Sequence, residues 1–378
     1  MIQNPMTEAP CYALEEGAST NEMREMAIKA MYDELTFKWT PSERFTYRKT
    51  GSNADKEYVF EQDTVYAGLP YTTAAAGLFQ WLAHCNLQDS VFKVPETFGV
   101  ETKLGNSCSS SVSWGIAAVC PSIGTADSTF MFVKDSHMIA LGDVDYSADI
   151  KNFNDYGTDL IVKDNGDAKV LEGYALLKKA DTVIAAGPNT AIHGMMVIEE
   201  PTVVRNEDGT IDSKKSIVVV QDQRAREKEK ELDGDTVSIR GRIRAEVCFN
   251  ELLKGGYIAM TTREFLNNET YVKATVSLDR EATDWKALSE AKVLSNYRIA
   301  VLRIAITDET GAKVCEILDT TSCRNIRSNE VHNFPLEALC AEAMNCKDLV
   351  AGKKYQGTLK VTVATGETFI PAEVHFIA

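Results

Sequence analysis

The chain has 378 residues, 44% of them hydrophobic and 25% charged, which is long enough for two domains with sizeable cores. Fifty-five acidic against forty basic residues give a net charge of −15, which repels phosphate backbones and anionic membrane surfaces and speaks against a nucleic-acid partner. Nine cysteines, at 11, 85, 108, 120, 248, 315, 323, 340 and 346, are scattered and form no C-x-x-C pair, so neither a zinc module nor a disulfide framework is expected and most should be free thiols.

The first eight residues lack the basic start and apolar run of a secretory signal, and no stretch reaches transmembrane length, which leaves the compartment open. Thr20 to Leu35 carry Met23, Ala27, Ala30, Met31 and Leu35 on one face after a Thr/Asn cap, the pattern of an amphipathic helix, which Trp39-Thr40-Pro41-Ser42 ends. Tyr58-Val59-Phe60 reads as extended, Gly68-Leu69-Pro70-Tyr71 as a turn, and Ala74 to Ala83 as a mixed helix.

Cys108 sits in the small polar stretch Asn106-Ser107-Cys108-Ser109-Ser110-Ser111, which runs into Val112, Ile116 and Val119 at helical spacing and must end near Cys120-Pro121. Asn106 or Ser107 can cap this helix, and the N–H groups of its first turn make a positive end that favours thiolate. By itself such a stretch more often means a small buried cysteine at the start of a core helix.

A helix around Leu171 to Ala180 leads to the short apolar strand Thr182-Val183-Ile184-Ala185, broken by Gly187-Pro188-Asn189. His193 opens a second strand, and Asn206-Glu207-Asp208-Gly209 marks a hairpin before Ile217-Val218-Val219-Val220. The charge run Arg224 to Glu231 mixes both signs, as in a solvated helix face or connection. Beyond about residue 270 come widely spaced strands, Tyr271 to Leu278, Tyr297 to Ile306, Lys313 to Leu318, Gly357 to Ala364 and Phe369 to Ile377. Short helices near Trp285 and Leu336 join them, and a separate β-sandwich is the natural reading.

There are five histidines, 84, 137, 193, 332 and 375. A histidine serving a helix-start cysteine should sit on a strand facing that helix, with a polar group orienting its ring, and His193 fits best. The partner strand ends Gln221-Asp222-Gln223, where Asp222 could accept the Nδ1–H of His193, with Gln221 and Gln223 as alternatives; a polar strand end facing water is the competing reading. Nucleotide-binding, serine-elbow and zincin motifs are missing, and the aspartates at 143, 145, 164 and 167 do not complete a calcium loop, so no metal site is expected.

Taken together, these stretches resemble the NlpC and CHAP superfamily of papain-like cysteine hydrolases, which cut bacterial cell-wall peptides. Gly68-Leu69-Pro70-Tyr71 is similar to that family's G-x-P-Y element, and Asn106 to Val112 to its [DN]-C-S-x-x-V helix start. Leu177-Lys178-Lys179-Ala180-Asp181-Thr182-Val183 resembles the L-x-x-G-D turn, His193 to Ile198 the H-V-x-x-V strand, and Val218 to Arg224 the strand ending E-Q-N. The likeness covers roughly residues 60–225, with departures at Ser107, Ala180, Asp222 and Arg224.

The resemblance implies an α+β fold with a papain-like domain over 58–268, and the flanking patterns are read as a helical extension over 1–57 packed near an antiparallel sheet and an Ig-like β-sandwich over 269–378. It implies a cysteine peptidase or amidase without metal or organic cofactor, acting on peptidoglycan or cell-wall peptide in the envelope or outside the cell. Cys108 would be the nucleophile, His193 the base and Asp222 its orienter. The Cys108 backbone N–H and the Tyr71 phenol would hold the oxyanion, with Ser109 beside the substrate, although Tyr71 could equally be a packed turn tyrosine. A catalytically decayed surface-binding module and an acyltransferase or thioesterase on the same scaffold are the alternatives.

Overall fold

In the computed structural model the described residues are 8–48, 57–72, 74–96, 98, 103–123, 138–145, 157–187, 190, 193–224, 230–233, 236–238, 241–320, 327–328 and 331–378. His137 and Cys323 lie outside them, as does most of the charge run, of which Lys230 and Glu231 open a strand. The described chain is α+β, with nine helices and several antiparallel sheets.

At the centre is a fully antiparallel six-stranded sheet in the order Arg242–Cys248, Ile217–Asp222, His193–Thr202, Thr182–Ala185, Ile258–Thr262 and Met138–Ala140. Thr182–Ala185 and Ile258–Thr262 are buried along their whole length, and the first accordingly reads as a short apolar run instead of an alternating one. Helices Thr20–Thr36 and Cys108–Ala117 pack against each other, and the second also lies on the His193 strand. The first helix is capped by Ser19, whose side chain and Glu22 form a reciprocal capping box, in place of the Thr/Asn cap expected one or two residues later.

A second, mixed six-stranded sheet includes Lys38–Pro41 paired antiparallel with Val65–Ala67 and parallel with Val91–Phe92. Trp39, Phe60, Tyr66, Trp81 and Phe92 form its aromatic core, with Trp81 stacked on Phe92 at 4.1 Å. The first 57 residues are therefore not a helical appendage: they supply a strand to this sheet, and the Phe45–Arg48/Glu57–Phe60 hairpin crosses the expected boundary. The helix expected from Ala74 to Ala83 is reduced to Leu78–Leu82. Ala75 has φ +55°, the Ala76 N–H donates to the Gly105 carbonyl, and the Trp114 indole donates to the Ala75 carbonyl at 2.9 Å, which together hold 74–77 out of helix.

The C-terminal part contains two four-stranded antiparallel sheets, one of them Lys313–Asp319, Ile299–Asp308, Lys354–Val363 and Thr368–Ile377. Alternation along Lys354–Val363 is strict, with Leu359, Val361 and Val363 buried. This part is fixed to the Cys108 helix. The buried Arg298 guanidinium stacks on the Trp114 ring at 3.5 Å and donates to Ser113 Oγ, while the Tyr297 hydroxyl donates to the Val119 carbonyl at 3.2 Å.

Candidate active site

Ser107 is the N-cap of the Cys108–Ala117 helix, its hydroxyl accepting from the Ser110 N–H while the Ser110 hydroxyl takes the Ser107 N–H at 2.7 Å. A serine thus does the work of the usual acidic partner in the capping box, and Cys108 becomes the first helical residue. Asn106, one step before, is fully buried and is a strut: its amide donates to Glu34 on the N-terminal helix and accepts from Gln223 Nε2 at 3.0 Å.

Tyr71 reaches the same place by backbone pairing. The Thr72 N–H donates to the Asn106 carbonyl at 2.8 Å and the Asn106 N–H to the Pro70 carbonyl at 3.1 Å, so the two segments run side by side. Gly105 makes this approach feasible: its φ is +87°, and a Cβ there would stand 2.5 Å from the Pro70 oxygen. The Tyr71 hydroxyl then lies 3.6 Å from Cys108 Sγ.

His193 enters from the first position of its strand. Its Nε2–H donates to Asp222 Oδ2 at 2.7 Å, and the ring also hydrogen-bonds the Cys108 thiol, for which Nδ1 is the nitrogen left. The expected tautomer is therefore corrected: Asp222 is served by Nε2, not Nδ1, because the strand presents the far edge of the ring to the neighbouring strand end and the near edge to the helix. Of the alternative orienters, Gln221 donates to the Ile28 carbonyl and Met196 Sδ, and Gln223 to the Leu69 carbonyl and Asn106. Both brace the scaffold, and neither is the partner of His193. Ser109 is half-buried, with its hydroxyl 3.4 Å from that of Ser107.

Burial disfavours thiolate at Cys108, but the hydrogen bond and charge of His193, the Tyr71 hydroxyl and the Gly194 N–H outweigh it and hold the thiol below its ordinary range. Burial likewise opposes charge on His193, yet the Asp222 and Cys108 hydrogen bonds raise the ring to about 9. Burial would lift Asp222 too, and the His193 and Arg242 hydrogen bonds instead hold it well below the usual carboxylate range. Tyr71 is raised far above the usual phenol range by burial and then by the Cys108 charge, so it remains a donor. The arrangement stabilises a thiolate–imidazolium pair with an oriented carboxylate behind it.

The other described histidines stand elsewhere. His84 Nε2 meets Thr320 Oγ1 at 3.2 Å and is lowered to about 4 by burial and Arg303, His332 meets the Pro121 carbonyl, and His375 lies on the last strand. Sequence reading missed Arg224, Arg242 and Tyr257. The two arginines bind Asp222, and Tyr257, pushed up to about 12 by burial against the opposing pull of Arg224, feels the charges of Cys108 and Asp222. Arg224 stands out in the sequence only as a departure at the end of the valine strand, and no local signal marks Arg242, which comes twenty residues after its partner.

No cluster of three or more metal-ligating side chains occurs among the described residues. A cavity of about 760 Å³ opens beside Asp308, Tyr355, His375 and Phe376 and shares no residue with the Cys108 site. Comparison of the chain with protein-family models, with curated proteins and with solved structures found no match.

Proposed function

We propose that the chain is a papain-like cysteine hydrolase of the NlpC/CHAP type, cutting amide bonds of bacterial cell-wall peptides as a peptidase or amidase. The observation that carries this reading is the contact series from Tyr71 through Cys108 and His193 to Asp222, with a 3.6 Å first step and a 2.7 Å last one. The Cys108 thiolate attacks the amide carbonyl, and His193 Nδ1–H protonates the leaving amine. Neutral His193 then takes a proton from water, which hydrolyses the thioester and regenerates thiol and base. The Cys108 N–H at the positive start of the helix and the Tyr71 hydroxyl hold the oxyanion.

Cys108 is 2% exposed and the His193 side chain 13%, so substrate approaches along the His193 side. The two C-terminal sheets are the accessory β-sandwich in this reading, and the setting is extracellular or in the cell envelope. No helix among the described residues is long and apolar enough to cross a membrane. An intact thiol–imidazole contact favours an enzyme over a decayed binding module.

Incubation of the purified chain with peptidoglycan fragments is expected to release peptides with one new amino group per cut, read by mass spectrometry. Absence of any new amine across stem peptides and intact sacculi, with the protein folded, overturns the substrate class. Transfer of the acyl group to an added amine or thiol in place of water would instead assign an acyltransferase.

A further inference from the structure

We propose that Arg242 is a positioning residue of the site: its guanidinium fork locks the Asp222 carboxylate in the orientation that serves His193. The proposal rests on the assignment of Cys108, His193 and Asp222 as one reacting set. Asp222 is fully buried. Its Oδ1 accepts from Arg242 Nε at 2.9 Å and from the Arg242 backbone N–H at 3.3 Å. Its Oδ2 accepts from Arg242 Nη2 at 2.8 Å, from Arg224 Nε at 2.9 Å and from His193 Nε2 at 2.7 Å.

The two arginines are not equivalent. Arg242 grips both oxygens, so turning the carboxylate about Cβ–Cγ breaks two parallel bonds. Arg224 is half-exposed, touches only Oδ2 and shares that oxygen with His193. Without Arg242 the carboxylate is free to turn towards Arg224, and the His193 ring loses its fixed acceptor.

The backbone is shaped to bring Arg242 there. Val220 pairs with Ala245 but Asp222 with Arg242, so a bulge at the strand end brings Arg242 opposite Asp222. At Gly241 a Cβ would stand 1.7 Å from the Asp222 carbonyl oxygen, so only glycine permits the two strands to close at this point. Beyond the set itself, the titratable or charged groups that face it are Tyr71 from the loop, Tyr257 from the turn before its strand, Arg224, and Glu251, whose charge acts on Arg242.

The test is the pH profile of Cys108 alkylation by iodoacetamide in the full chain, read from the Cys108 peptide by mass spectrometry. Arg242→Gln and Arg242→Lys are both expected to move the acidic inflection up by roughly one pKa unit towards an ordinary thiol, which slows alkylation by about tenfold on the acidic limb, where the rate follows the thiolate fraction. Arg224→Gln should cost less than about threefold, as expected of a half-exposed single contact. In an Asp222→Ala background, Arg242→Gln should add nothing further.

Full rescue by lysine would show that charge alone matters and overturn the proposal. So would a wild-type profile in Arg242→Gln, or an undiminished Arg242→Gln effect on top of Asp222→Ala. Thermal melts separate loss of fold from loss of positioning, and the lysine variant keeps the charge if the glutamine variant unfolds. Iodoacetamide is not a peptide, so this outcome is independent of whether cell-wall peptides are cut.

Discussion

Cys108→Ala is expected to reduce peptidoglycan-fragment hydrolysis by about three orders of magnitude or more, and His193→Ala to cost nearly as much, because members of one reacting set are strongly non-additive. Alanine at 108 removes the atom that forms the thioester, whereas alanine at 193 removes both the charge that holds the thiolate and the proton that the leaving amine needs. The double variant should therefore fall little below either single one. The same pair sets the pH course. Thiolate is present above the depressed Cys108 pKa and imidazolium below the raised His193 value of about 9, so kcat/KM should rise at a pH below that of an ordinary thiol and decline near 9. Wild-type rates in Cys108→Ala, or a profile that still climbs steeply through 9, would contradict the assignment.

The second large effect concerns stability. Asp181 and Arg24 form a buried ion pair at 2.7 Å, with side chains 2% and 6% exposed, tying the N-terminal helix to the turn before the Thr182 strand. Asp181 also accepts from Thr261 Oγ1 at 2.5 Å and from the Lys178 N–H at 2.8 Å, and Arg24 stacks on Phe265 at 4.3 Å and donates to the Lys179 carbonyl. Asp181→Ala strands a guanidinium that cannot deprotonate, at an expected cost of about 3–5 kcal/mol at every pH.

Arg24→Met differs because Asp181 can escape by protonation. Burial already raises its carboxyl above the ordinary value, against the pull of Arg24 and Thr261. A group whose folded pKa is raised contributes stability that is present at low pH and is lost as pH rises through that pKa. The cost of Arg24→Met should therefore shrink as pH falls from 7 towards about 4, the ordinary aspartate range, while that of Asp181→Ala should not. Urea unfolding of both variants at several pH values separates the two courses, and parallel curves would refute the argument.

Much of the site was legible because its parts rest on contiguous signals. A serine cap followed by helical periodicity placed Cys108 at a helix start, a Gly-Pro-Asn break followed by apolar residues placed His193 at a strand start, and the polar end of a valine run placed Asp222. The turn before the Thr182 strand forms with an alanine in a conformation that favours glycine. Ala180 holds φ +63°, a left-handed conformation costing about 1–2 kcal/mol, with its N–H donated to the Val197 carbonyl at 2.8 Å.

Features set by distant residues were not legible. The Glu34–Asn106 contact spans 72 positions, and Arg298 reaches Ser113 across 185. The Arg242 fork depends on a bulge and on strand register beyond a charge run. The choice of histidine nitrogen depends on which side of the ring each neighbour occupies, a matter of packing that no spacing encodes. The strand Lys38–Pro41 escaped because four residues containing a proline carry too little alternation to stand out from the end of a helix.

The most direct test is acid-quenched mass spectrometry of the protein during turnover of a cell-wall peptide. A transient acyl adduct is expected on the peptide containing Cys108, labile to hydroxylamine as a thioester is, and missing from Cys108→Ala. Continued turnover with the adduct on another residue, or with Cys108 never modified, would contradict the assignment of Cys108 as nucleophile.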